Sequence, residues 1–254
     1  MTASPPQPPS GHGLLLGKSV LVTAAAGSGI GSSTARRCIE EGARVVIADK
    51  HERRLGETAT ELGVTGIVCD VTDDASVQAM ITAAAAELGG IDVLVNNAGL
   101  GGTAEVHEMT DQQWSTVLDV TLNGTFRVTR AALNHMYPRG SGVIVNNASV
   151  LGWRAQAGQA HYAAAKAGVM ALTRCSAIEA APRGVRINAV APSIALHANL
   201  AKVTSDEMLA ELTSREAFNR AAEPWEIANV IVFLASDYST YMTGEVVSVS
   251  SQRA

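Results

Sequence analysis

Tyr162 and Lys166, in "HYAAAKAG", stand four residues apart and so share one face of a helix. A phenol ordinarily titrates near pH 10. A neighbouring ammonium favours the phenolate, which makes the pair a proton donor or acceptor near neutrality. The same spacing also serves an ordinary surface contact. Far upstream, "VTAAAGSGIG" puts Gly27, Gly29 and Gly31 at alternate positions between an apolar run and a helix-like run. Glycine there permits a tight turn and lets backbone N–H groups and a helix N-terminus face an anion such as a pyrophosphate. A purely structural turn satisfies the pattern as well. Asp49 closes the next apolar run, at the distance where an acidic residue reaches the adenosine ribose hydroxyls. Its charge would repel a 2′-phosphate and favour NAD over NADP. Lys50, Arg53 and Arg54 follow, and either offset that preference or are solvated charges. Asp70 either contacts adenine or caps the following helix.

These residues need a scaffold that brings distant segments to one edge. Apolar, β-rich runs at 19–24, 44–49, 66–71, 92–97, 142–147, 186–190 and 245–250 alternate with helical stretches such as "SSTARRCIEEGA" and "PWEIANVIVFLAS". Continuous apolar strands imply helices on both faces of a parallel sheet. The βαβ order therefore predicts an α/β fold, a Rossmann-type doubly wound seven-stranded sheet in one domain over 14–254. The proline-rich opening "MTASPPQPPSGHG" is expected to be a disordered arm over 1–13. Between the sixth strand and Pro224 the chain is too long for a simple connection; a segment at about 193–222 reads as a substrate lid or a peripheral helical insertion. Met208, Leu209 and Leu212 in it would cover an apolar substrate or serve packing.

Composition bounds the partners. Of 254 residues, 47% are hydrophobic, which suits a large single core. The net charge of −5, without a basic run, argues against nucleic acid. The apolar runs are too short and interrupted for a membrane span. Three scattered cysteines, Cys38, Cys69 and Cys175, suggest neither a disulfide framework nor a metal site, and point to a reducing cytoplasm. None of the six histidines forms an HxxxH pair, so no catalytic metal is expected.

Taken in order, the glycine turn at 27–31, "NNAG" at 96–99, Asn123 in "TLNGTF", Ser149 in "NNAS", and Tyr162 with Lys166 resemble the short-chain dehydrogenase/reductase family over nearly the whole chain. The resemblance implies a catalytic set of Asn123, Ser149, Tyr162 and Lys166. Tyr162 would be general acid or base, Ser149 would hydrogen-bond the substrate oxygen, and Lys166 would hold the nicotinamide ribose and depress the tyrosine pKa. Asn123 would anchor a water that relays protons to Lys166. The implied cofactor is NAD, with NADP open. It would be held by Gly27, Ser28, Gly29, Ile30 and Gly31 at the phosphates, by Asp49, Lys50, Asp70 and Val71 on the adenosine side, by Asn97, Ala98 and Gly99, by Tyr162 and Lys166, and by Pro192 and Ile194 along the nicotinamide. Three departures stand out. Ala24 follows Thr23 where the family has glycine, in a turn one residue longer; Ser193 and His197 replace a glycine and a threonine that serves the nicotinamide amide; and "SVSSQRA" lacks the usual terminal glycine pair.

Phrases such as "NNASVLGWRAQ" and "EPWEIANVIVFLASDYS" resemble actinobacterial members of the family that act in steroid-ring breakdown on bicyclic acyl-CoA thioesters. Trp153 and Arg154 would then line the substrate mouth, Trp against a fused ring and Arg against a carboxylate or CoA phosphate; packing and a surface ion pair are the plainer readings. "LGG" at 100–102 would shape the pocket floor. Apolar helices at 112–137 and 161–181 suggest a homotetramer, as is common in the family. The competing functions are an NADPH-dependent 3-oxoacyl-thioester reductase and a non-catalytic dinucleotide-binding protein.

Overall fold

Seven strands make one parallel sheet: β1 (Ser19–Thr23), β2 (Arg44–Asp49), β3 (Thr65–Val68), β4 (Val93–Asn96), β5 (Gly142–Asn147), β6 (Val185–Pro192) and β7 (Val246–Val249). Their order is β3-β2-β1-β4-β5-β6-β7, so the chain reverses direction across the sheet between β1 and β4. In open α/β sheets ligands seat at that switch point, beyond the carboxyl ends of the strands. The computed structural model describes residues 6–195 and 206–251, the side chains of 206–209 excepted.

The helices are α1 (Ile30–Glu40), α2 (Glu52–Leu62), α3 (Asp74–Leu88), α4 (Asp111–Leu118), α5 (Gly124–Met136), α6 (Ala160–Ala180), α7 (Asp206–Ser214) and α8 (Pro224–Ala235). On one face α1, α2 and α8 bury Ala35, Cys38, Leu55, Ile227 and Ile231 against Val20, Val22 and Val95. On the other, α3, α5 and α6 bury Met80, Val128, Met136 and Ala177 against Leu21, Leu94 and Ile144. Each fully buried large apolar side chain contributes about 1.5–3 kcal/mol. The central strands β1 and β4 are buried at every position, as their unbroken apolar runs require, whereas the edge strand β3 is largely exposed and ends at Val68, three residues short of the expected end.

The arm expected over 1–13 is fastened in its second half. Pro9 accepts from Arg37 through its carbonyl, and the amides of His12 and Leu14 donate to Glu41 Oε2 at 2.8 and 3.0 Å. Glu41 is buried beside Arg37, so its carboxylate has to be satisfied, and this arm supplies the donors.

The altered glycine turn is explained by one dihedral. Ala24 adopts φ +50°, the left-handed region, so the alanine keeps the backbone conformation that glycine adopts without strain. Left-handed backbone costs an L-residue about 1–2 kcal/mol, against which glycine's larger unfolded entropy leaves a net gain of about 0.5–1 kcal/mol. Ala24→Gly is therefore expected to raise the thermal midpoint by about 1–4 °C in a domain of this size. Calorimetry that finds an unchanged or lower midpoint would show that Ala24 bears no strain.

Candidate active site

The glycine turn is braced from both sides. Asp49 Oδ2 accepts the amide of Ala26 at 3.2 Å, and Thr58 Oγ1 on α2 accepts the amide of Gly27 at 2.9 Å. Gly27 is left-handed at φ +91°, and a Cβ at Gly27 or Gly29 would meet nothing within 4 Å. Gly29 opens α1 without a side-chain cap, so the first-turn amides around Ile30 and Gly31 have no intrahelical acceptor. This is an open cradle for an anion, as a phosphate group requires. Gly31 differs: a Cβ there would lie 2.3 Å from the Ala24 carbonyl oxygen and 2.7 Å from Asn97 Nδ2.

On the adenosine side Asp49 also accepts from the His51 amide at 3.0 Å, which fastens the end of β2 to the start of α2. Asp70 makes a turn of its own, Oδ1 accepting from both the amide and the hydroxyl of Thr72 at 2.9 and 2.8 Å. The Thr72 amide holds its carboxyl below the usual range, with burial opposing and the Lys50 and Arg127 charges assisting. The cap of α3 is Asp73, whose side chain accepts from Ala75. Val71 turns its side chain onto α5, where a Cβ on Gly124 would meet its Cγ2 at 2.7 Å.

A chain of amides crosses the crest from the glycine turn to the lysine. Asn97 Nδ2 donates to the Thr23 and Ala24 carbonyls, its Oδ1 accepts from Asn147 Nδ2 at 2.8 Å, and the Asn147 carbonyl accepts from Lys166 Nζ at 2.6 Å. Ala98 is buried, and the bare backbone of Gly99 leaves room for Lys166: a Cβ would sit 3.3 Å from Nζ. The Ser149 hydroxyl stands near enough to the Tyr162 phenol to oppose the rise of its pKa, and its Oγ accepts the Leu151 amide at 3.2 Å, which orients it. Lys166 Nζ lies over the Tyr162 ring, 5.6 Å from its centre. Pro192 ends β6, and Ile194 accepts from Ala222, so the wall beyond β6 is pinned at its base.

Two expectations fail here. Burial pushes the Tyr162 phenol above its ordinary range, outweighing the Ser149 hydroxyl, so the pair does not depress the phenol as its spacing suggests. Burial also brings Lys166 down to about 8. Second, Asn123 does not join Ser149, Tyr162 and Lys166. It ends a single π-helical turn, Asp119–Asn123, between α4 and α5, and its side chain is exposed and donates to Asp119 Oδ1 at 3.1 Å. The extra residue of that turn rotates the helix so that Thr121, fully buried, faces inward instead.

Trp153 is half exposed rather than packed away. Leu212 on α7 is partly buried; His197 and the side chains of Met208 and Leu209 lie outside the described residues. Among the residues that spacing did not single out are Thr58, Thr121 and Asn147. Asn147 had a signal: "NN" occurs at 96–97 and again at 146–147, and β4 pairs with β5 in the register Asn96↔Asn146. Among the described residues no group of three metal-ligating side chains occurs, and no helix is long and apolar enough to cross a membrane.

The arrangement is a crest with a phosphate cradle at one end and a hydroxyl, a phenol and an ammonium at the other. Comparison with known proteins agrees with it. A family model described as "Enoyl-(Acyl carrier protein) reductase" matches residues 24–251. The chain is 65% identical, over 97% of both chains, to the Mycobacterium tuberculosis (5R,7aS)-5-hydroxy-7a-methyl-1-oxo-2,3,5,6,7,7a-hexahydro-1H-indene-carboxyl-CoA reductase. It is 42% identical to the cis-4-hydroxycyclohexanecarboxylate dehydrogenase of Sinomonas cyclohexanicum, over 91% of this chain and 94% of the other. A crystal structure of a short-chain dehydrogenase from Mycobacterium smegmatis superimposes with a TM-score of 0.89 at 61% identity, covering 99% of each chain. The chain belongs to the short-chain dehydrogenase/reductase family, oxidoreductases that work with a nicotinamide cofactor.

Proposed function

We propose that the protein transfers a hydride between NAD(H) and a ring alcohol or ketone of a bicyclic, steroid-derived acyl-CoA. The observation that carries the reading is the meeting of Ser149, Tyr162 and Lys166 at one end of the crest, reached from the open glycine cradle by the Asn97–Asn147 chain. The nicotinamide supplies the hydride chemistry when bound. In this reading Gly27, Ser28, Gly29, Ile30 and Gly31 receive its pyrophosphate, and Asp49 takes the adenosine ribose with lone pairs its two amide bonds leave free. Lys50 and Asp70 border the adenine. Asn97 and Gly99 shape the seat, and Pro192 and Ile194 form the nicotinamide wall. Tyr162, neutral at physiological pH, gives its proton to a ketone oxygen and takes one from an alcohol. Ser149 holds that oxygen, and the Lys166 ammonium holds the ribose and steadies negative charge on the phenol.

The substrate class is supported by the M. tuberculosis relative, whose name specifies an indene-carboxyl-CoA, and by the Sinomonas relative, whose name specifies a ring alcohol. Half-exposed Trp153 suits a fused ring at the mouth. We further read the protein as a cytoplasmic homotetramer. Phe126 on α5 and Ile178 on α6 are exposed apolar residues of the helices expected to pack across a two-fold, and its cysteines are free thiols.

The test is absorbance of reduced nicotinamide with purified protein, both cofactors, and two substrate panels: bicyclic and straight-chain acyl-CoA alcohols and ketones. Turnover of the bicyclic panel with a preference for NAD(H) is expected. Activity confined to straight-chain substrates rejects the steroid reading, and a strong NADPH preference rejects the role given to Asp49.

A further inference from the structure

The wall that leaves β6 at Pro192 is held from two sides. Along the sheet, Pro192 pairs with Val249 of β7, and the Ser193 amide donates to the Val249 carbonyl at 3.2 Å. From the other side, the Ala222 amide donates to the Ile194 carbonyl at 2.9 Å, and Ala195 bridges Ala222 as a parallel pair. Ala222 ends a stretch that starts just after α7, and Arg220 within it forks onto both oxygens of Glu226 at 2.6 and 2.8 Å. The stretch from 216 to 222 is therefore a strut rather than a free loop, and its first residue supplies the hold at the other end. Glu216 is only 2% exposed, and its Oε2 accepts both the amide and the hydroxyl of Ser251, at 3.1 and 2.8 Å. The Ala217 amide answers by donating to the Ser251 carbonyl at 2.6 Å. A carboxylate buried this deeply is tolerated only where donors reach it. Its second oxygen, Oε1, is buried with no hydrogen-bond partner among the described residues, so Ser251 carries the hold. Ser251 lies beyond the end of β7 in the stretch that lacks the usual glycine pair, and its hydroxyl is a donor that no glycine offers.

We propose that Glu216 is a positioning residue: by clasping Ser251 it anchors the 216–222 strut to the end of β7, and the strut backs the Pro192–Ala195 wall against which the nicotinamide ring rests. This rests on the reading of that wall given above. Without the carboxylate, the Ser251 amide and hydroxyl lose their acceptor and the first end of the strut comes loose. The Ala222–Ile194 bond then ties the wall to a support that moves. Glutamine keeps an oxygen for both Ser251 donors. Alanine removes it, and Ser251→Gly keeps the amide bond while losing the hydroxyl bond.

The experiment compares NADH with ADP-ribose by titration calorimetry, because ADP-ribose lacks the nicotinamide ring and the ratio of the two affinities isolates the wall. Glu216→Ala is expected to weaken NADH by roughly tenfold, the size of one or two hydrogen bonds, with ADP-ribose unchanged. Glu216→Gln is expected to keep the wild-type ratio, Ser251→Gly to lower it by roughly threefold, and Ile194→Ala, which cuts the wall itself, to lose it. Should the Glu216→Ala protein fail to fold, Ser251→Gly carries the same comparison. A wild-type ratio in Glu216→Ala, or in Ser251→Gly where it stands in, alongside a lost ratio in Ile194→Ala, overturns the role of Glu216 while the reading of the wall stands. A ratio lost in Glu216→Gln overturns the clasp as a set of hydrogen bonds. A wild-type ratio in Ile194→Ala overturns the reading of the wall and this inference together.

Discussion

Tyr162→Phe is expected to lower turnover by roughly 100- to 10,000-fold, the range a positioned acid–base group supplies, while the affinity for dinucleotide stays within about twofold. The change is confined to one atom. The ring remains under the Lys166 ammonium, and the helix α6 that carries both keeps its packing. What disappears is the hydroxyl beside Ser149, and with it the proton that a ketone oxygen needs as hydride arrives. Full activity in this variant would remove Tyr162 from the chemistry and return the protein to the class of non-catalytic dinucleotide binders. The direction of the phenol's shift adds a pH signature. Because burial holds the phenol above its ordinary range, it is protonated through neutrality, so ketone reduction starts from the form already present. Alcohol oxidation has to begin by removing that proton. Its rate is expected to climb as pH rises from neutral, while reduction does not; the two rates measured across the same buffers report this, and parallel profiles would contradict it.

The sequence pattern carries the scaffold further than the site. Unbroken apolar runs such as Val20–Val22 and Val93–Val95 are a direct consequence of burial on two faces, so the strands and their parallel order are legible in one dimension. The edge strand β3 is less so, since exposure removes the constraint that would mark its end. The glycine positions are legible as glycines, but not their separate reasons: Gly27 serves a left-handed turn, Gly29 an open cradle, and Gly31 a close helix–strand contact. Asn123 shows where spacing fails. Residues 121 and 123 are two apart, and which one faces the site depends on a π-turn that inserts one residue into the helix and leaves no compositional trace. The phenol's pKa is hidden from the sequence for a related reason. Spacing gives a charge–phenol distance, but desolvation is a property of everything packed around the pair, and here desolvation wins.

Gly31 and Gly29 make a paired prediction that separates the fold's demand from the ligand's. At Gly31 the obstacle is fixed. The Ala24 carbonyl, 2.3 Å from a new Cβ, belongs to a left-handed backbone residue that also accepts Asn97 Nδ2, and Asn97 is in turn tied to Thr23 and Asn147. Nothing there is the free end of a flexible side chain, so α1 has to move away from the crest. Overpacking of this kind costs about 1–3 kcal/mol. Gly31→Ala is expected to lower the thermal midpoint by about 2–4 °C for each kcal/mol lost. It should also weaken ADP, because the displaced helix start is the phosphate seat. At Gly29 the backbone is extended at φ −92° and a Cβ meets open space, so Gly29→Ala costs only alanine's weaker preference at a helix N-cap, about 0.5–1 kcal/mol, and is expected to lower the midpoint by about 1–4 °C. The space it fills is the cradle itself. A phosphate brought to the first-turn amides would collide with the added methyl, and ADP affinity should fall by tenfold or more, a loss of about 1.4 kcal/mol. If Gly29→Ala binds ADP as the wild type does, the phosphate does not sit at the start of α1, whatever Gly31→Ala does to stability.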